Sequence, residues 1–138
     1  VYADILFTNN LENLINKFIS LKENHNAIIL SDIRKNVSEC GQLKFNKNNI
    51  LTNFSEKPKK KISRFVNSGL YLFDTSYLLK QIKGLGNKND NFYDIAATLM
   101  PLLVEKAYVY VIKGKVVDIG TYKGLIESQK IKFTKKSV

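Results

Sequence analysis

At 138 residues, 44% hydrophobic and 25% charged, the chain is long enough for one domain with its own core and too apolar for general disorder. No apolar run reaches membrane-spanning length and no secretory leader opens the sequence, so a cytoplasmic protein with no membrane partner is expected. The net charge of +10 suggests an anionic partner, yet only two of the 22 basic residues are arginine, Arg34 and Arg64, so a lysine-rich composition accounts for the charge more simply than a nucleic-acid surface.

Residues 1–7 read as a short buried strand broken by Asp4, a carboxylate that needs a partner or a metal if it is buried. The apolar run begins at Val1 with no lead-in turn, as expected of a piece of a longer chain. Asn10 is placed to cap a helix carrying Leu11, Leu14, Ile15, Phe18 and Leu21 at helical spacing, with Glu12 in its positively polarised first turn. Residues 27–30 follow as a strand and 31–39 as a polar loop. Strand, helix, strand is the pattern of a parallel crossover unit.

Residues 42–45 and 50–54 form a hairpin around the polar turn at 46–49. Its second strand delivers Glu56 and Lys57, and Pro58 is expected to hold Lys57 extended. Residues 66–73, VNSGLYLF, read as a mostly buried strand in which Gly69 marks close approach of a ligand or second backbone. Thr75 or Ser76 is expected to cap a short helix, and residues 84–91 to form a loop. Residues 92–105 are helical in character, with a break at Pro101, which lacks the amide hydrogen an interior turn requires. Two strands, 107–112 and 115–119, lie about a turn at Lys113-Gly114; Thr121 caps a last helix over 122–130, and 132–138 is expected to fray.

One cysteine, Cys40, and one histidine, His25, exclude an internal disulfide and an ordinary zinc cluster. Asp4 and Asp118 each interrupt an apolar strand near its end, where open α/β sheets place their ligands. Spacing alone favours two local turn caps; brought together by the fold, the pair would suit magnesium held beside a polyphosphate.

The markers VYADILF with Asp4, SECG with Gly41, FSEKP with Glu56 and Lys57, VNSGLYLF with Asn67 and Gly69, and VVDIGTY with Asp118 occur in one order along nearly the whole chain. Together they resemble the C-terminal part of the sugar-1-phosphate nucleotidyltransferases, which include mannose-1-phosphate and heptose-1-phosphate guanylyltransferases. The resemblance implies a Rossmann-like α/β fold with a mixed, mainly parallel sheet flanked by helices, residues 1–138 forming the sugar-phosphate-binding portion of one catalytic domain. It implies condensation of a sugar 1-phosphate with a nucleoside triphosphate, GTP favoured, to give a nucleotide sugar and pyrophosphate.

By resemblance, Asp4 and Asp118 would hold Mg2+, Lys57 would pair with the sugar phosphate, and Glu56 would accept hydrogen bonds from sugar hydroxyls. Gly41, Asn67 and Gly69 would line the sugar pocket through their backbone. Ala3 and Tyr122 depart from the family's usual glycine and proline, and the family's glycine-rich phosphate loop does not occur in this sequence, so this stretch alone is expected to be inactive. The resemblance is compatible with a homo-oligomer and gives no role to nucleic acid. A regulatory homologue that binds a nucleotide sugar without turning it over is the alternative, and a basic nucleic-acid-binding domain a more distant one.

Overall fold

A computed structural model describes residues 4–8, 10–85 and 94–131. The expected strand start at 1–3, most of the loop at 84–91, Phe92 and the tail at 132–138 lie outside them.

The strands are β1 (Ile5–Phe7), β2 (Ala27–Ile33), β3 (Gln42–Phe45), β4 (Leu51–Ser55), β5 (Phe65–Phe73), β6 (Ala107–Val111) and β7 (Val116–Asp118). The helices are α1 (Leu11–Leu21), α2 (Thr75–Gly84) and α3 (Tyr122–Ser128). Before β6, a π-helical turn, Ile95–Leu99, runs into a 3-10 turn, Met100–Leu103, with Pro101 at its start. The break expected at Pro101 is therefore present, and regular α-helix is absent from both turns.

A five-stranded sheet in the order β4-β3-β5-β2-β6 carries the core, and β1 pairs with β7 in a separate two-stranded sheet. The larger sheet is mixed, as expected, but only β2 and β6 run parallel; its other pairings are antiparallel. Mainly parallel is thus corrected to mainly antiparallel within these residues. The β1-α1-β2 segment is likewise no crossover within one sheet, because β1 leaves to pair antiparallel with β7.

Strand β2 is the spine because its apolar run can be covered on both faces. Ile28 and Leu30 pack with Leu14 of α1, Leu70 and Ile112, whereas Ala27 and Ile29 pack with Leu43, Leu51, Met100, Leu103 and Val109. Each Ile or Leu buried this completely contributes about 1.5–3 kcal/mol. The strand continues to Ile33, past the loop boundary expected at Ser31, since Ser31, Asp32 and Ile33 pair with Asn67, Val66 and Phe65 of β5. Between Ser31↔Asn67 and Ile29↔Tyr71 only Leu30 faces Ser68, Gly69 and Leu70, so β5 bulges there. Gly69 takes up the bulge at φ 73°, a conformation that side chains disfavour.

Asn10 caps α1 as expected, its Oδ1 accepting from the Glu12 N–H at 2.8 Å. For α2 the cap is Asp74, not Thr75 or Ser76: Asp74 is still extended and its Oδ1 accepts from the Tyr77 N–H at 2.9 Å. Thr121 caps α3 as expected. Among the described residues no helix is long and apolar enough to cross a membrane.

Candidate active site

Two carboxylates far apart in sequence meet because β1 and β7 are neighbours. Ile5 lies opposite Asp118, and the Ile119 N–H donates to the Asp4 carbonyl at 2.8 Å. Asp118 Oδ1 accepts from the Gly120 N–H at 2.9 Å. A Cβ at Gly120 would lie 2.9 Å from Asp4 Oδ2 and 3.1 Å from Asp118 Oδ1, so both side chains flank one backbone point.

Beside Asp118 opens a cleft of about 170 Å³. Gly41, Glu56, Asn67 and Gly69 line it, so four residues expected to meet the sugar share one wall system with one of the two acids. Gly41 immediately precedes β3, and its carbonyl accepts from the Asn67 N–H at 2.8 Å, which ties that point to the bulged strand. The Asn67 side chain is held locally: its Nδ2 donates to the Tyr71 hydroxyl at 2.6 Å and its Oδ1 accepts from the Gly69 N–H at 3.2 Å. Its side-chain amide is thereby oriented.

Glu56 leaves β4 so that its carboxyl packs toward Gly41, where a Cβ would come 2.5 Å from Oε2. Burial, foremost, raises this carboxyl above its ordinary value; Lys57 lowers it and Asp94 raises it further. Lys57 departs from expectation. Its φ is +39°, left-handed and not extended: the chain bends at residues 56–57 as it leaves β4, and the local preference set by Pro58 is not followed. Lys57 is exposed and is not among the residues lining the cleft, although its charge reaches Glu56.

Sequence reasoning missed Arg34, Glu39 and Cys40, which also line the cleft. The polar stretch at 31–39 reads as surface loop, and the available signal was the scarcity of arginine in a lysine-rich chain.

A family profile described as nucleotidyl transferase matches residues 1–134. The chain belongs to that family. Among curated relatives, it is 28% identical over 113 residues to a glucose-1-phosphate adenylyltransferase of Mycoplasma mobile, covering 78% of this chain and 30% of the relative. It is 35% identical over 95 residues to the Bacillus subtilis glucose-1-phosphate adenylyltransferase, covering 66% of this chain and 25% of the relative. The same fold occurs in a Bacillus anthracis protein assigned as a glucose-1-phosphate thymidylyltransferase and crystallised with sucrose, at a TM-score of 0.77 and 22% identity, over 96% of this chain and 54% of that one. HddC from Yersinia pseudotuberculosis, complexed with GMP-PN, shares it at a TM-score of 0.62 and 15% identity, over 90% and 50% of the two chains. The chain therefore spans about half the length of these solved structures and less than a third of the curated relatives.

The acid pair suits a hard cation. Asp4 and Asp118 offer carboxylate oxygens, and among the described residues no group of three His, Cys, Asp or Glu side chains converges to hold a metal. Two protein carboxylates with the remaining ligands left to water and phosphate is how magnesium is usually held, so the residues fit that ion.

Proposed function

We propose that this chain supplies the sugar-phosphate side of a nucleotidyltransferase site, in a protein that condenses a sugar 1-phosphate with a nucleoside triphosphate. The observation that carries this reading is the meeting of Asp4 and Asp118 beside a cleft lined by Gly41, Glu56, Asn67 and Gly69. Asp4 and Asp118 would hold Mg2+, which when bound neutralises phosphate charge. Glu56, desolvated at the wall, accepts hydrogen bonds from sugar hydroxyls. The backbone of Gly41, Asn67 and Gly69 shapes the pocket around the ring. Lys57, one residue from Glu56, pairs with the phosphate by swinging its flexible stem over the rim.

Two substrate sets compete. Mannose or heptose 1-phosphate with GTP rests on the DIGTY and SECG motifs, for use in cell-surface polysaccharide or glycoconjugate precursors. Glucose 1-phosphate with ATP is favoured by the two curated relatives. The test is pyrophosphate release by the full-length protein with magnesium and each pair, wild type against Asp118→Asn. One pair should be turned over, and the variant should lose about a hundred-fold or more, of the order expected when a charge-neutralising group is removed. Unchanged turnover in the variant would remove Asp118 from the metal role.

A further inference from the structure

A phosphate entering this cleft meets the carboxylates of Glu39, Glu56 and Asp118 on its walls, and the cationic side chain lining it among the described residues is Arg34. Arg34 also lines the adjoining cleft of about 520 Å³ together with Asp118, Thr121 and Lys123. Arg34 therefore borders two openings, both of which Asp118 also lines.

The side chain is half-buried and directed. Asp32 Oδ2 accepts from Nε at 3.2 Å, an ion pair between groups 19% and 31% exposed, and the Arg34 N–H donates to the Arg64 carbonyl at 3.0 Å. On the far side of the fork, Nη1 lies 3.8 Å from Cys40 Sγ, a weak acceptor that leaves the outer N–H groups largely unspent. A guanidinium fixed at its inner edge and open at its outer edge matches a phosphate, which takes two parallel hydrogen bonds from such a fork.

We infer that Arg34 binds the phosphate of the sugar 1-phosphate across from Asp118, with Asp32 as the residue that positions it. The inference deepens the nucleotidyltransferase reading and rests on it. It adds a clamp from the β2–β3 connection to the Lys57 contact from β4, so the phosphate is held from two sides.

The experiment is an NMR chemical-shift titration of the full chain, which reads millimolar affinities, with glucose 1-phosphate, mannose 1-phosphate and the two free sugars. Arg34→Ala should weaken the preferred sugar 1-phosphate roughly ten- to hundred-fold and leave the free sugar unchanged. Arg34→Lys, which keeps charge but loses the fork, and Asp32→Asn, which frees it, should show intermediate losses confined to the phosphorylated ligand. They also keep the test sound should Arg34→Ala fail to fold. Unaltered sugar 1-phosphate affinity in the Arg34 variants, or equal losses for phosphorylated and free sugar, would overturn the role of Arg34 alone. A wild-type chain that binds neither of these nor heptose 1-phosphate, titrated alongside them, would overturn the nucleotidyltransferase reading and this inference with it.

Discussion

Glu56 is exposed as a residue, yet its carboxyl lies against Gly41 at the cleft edge, and that placement has a thermodynamic sign. Desolvation is the largest influence and raises its pKa above the ordinary 4.5; the attraction of Lys57 opposes this and the repulsion of Asp94 reinforces it. An acid whose pKa is raised on folding binds protons more readily in the folded chain. Its contribution is therefore full below the unfolded value and is lost as pH rises through the folded one. Glu56→Gln should flatten the decline in melting temperature just above pH 4.5 and leave the variant no less stable than wild type at neutral pH. A decline that persists in the variant would assign the effect to another group. The conformation beside it was not legible in sequence: Pro58 argues for an extended Lys57, and only the path out of β4 reveals the positive φ.

The element that tests the reading of local signals is α2. Three candidate caps stand in a row, Asp74, Thr75 and Ser76, and the structure assigns the role to Asp74 because its own backbone is extended while Thr75 is already helical. Asp74 also approaches Lys22 at 3.9 Å, but Lys22 is 64% exposed and that pair adds little. Asp74→Ala should therefore cost about 1 kcal/mol in chemical denaturation through the lost cap, and Ser76→Ala should stay within about 0.5 kcal/mol. Equal costs would show that the hydroxyls share the capping. Elements stabilised by their own residues were readable for the same reason. Asn10 caps α1, and in the hairpin Asn46 Oδ1 accepts from the N–H groups of Asn48 and Ile50 while Asn49 takes φ 61°. Elements defined by distant partners were not. Ser31 and Asp32 look like loop until β5 pairs with them, and β1 looks like the first strand of a crossover until β7 claims it.

At the scale of the whole molecule, the site is a junction between a large sheet that supplies the cleft wall and a small one that supplies the acid pair. The order of Asp4 and Asp118 in sequence announced two similar carboxylates; only the β1–β7 register joins them, and no local pattern encodes that pairing. The small sheet has three residues per strand, so its hold on the acids depends on what packs against it. Helix α3 provides that support through Gly124, whose backbone runs so close to the Asp118 carbonyl that a Cβ there would overlap the oxygen. The five-stranded core makes no such demand, since Ile28 and Ile29 are buried by α1 and by the turns at 95–103. Gly124→Ala should accordingly loosen the small sheet by about 1–3 kcal/mol, the usual cost of overpacking, while sparing the large one. In hydrogen exchange, the Ile119 amide, bonded to the Asp4 carbonyl, and the Thr8 amide, bonded to the Lys115 carbonyl, should then exchange roughly ten- to hundred-fold faster. The Val109 and Ile112 amides, bonded to the carbonyls of Asn49 in the β3–β4 turn and Ser31 in β2, should keep their protection. Uniform acceleration at all four would mean that the two sheets open as one unit, and the acid pair would then be as rigid as the core that faces it.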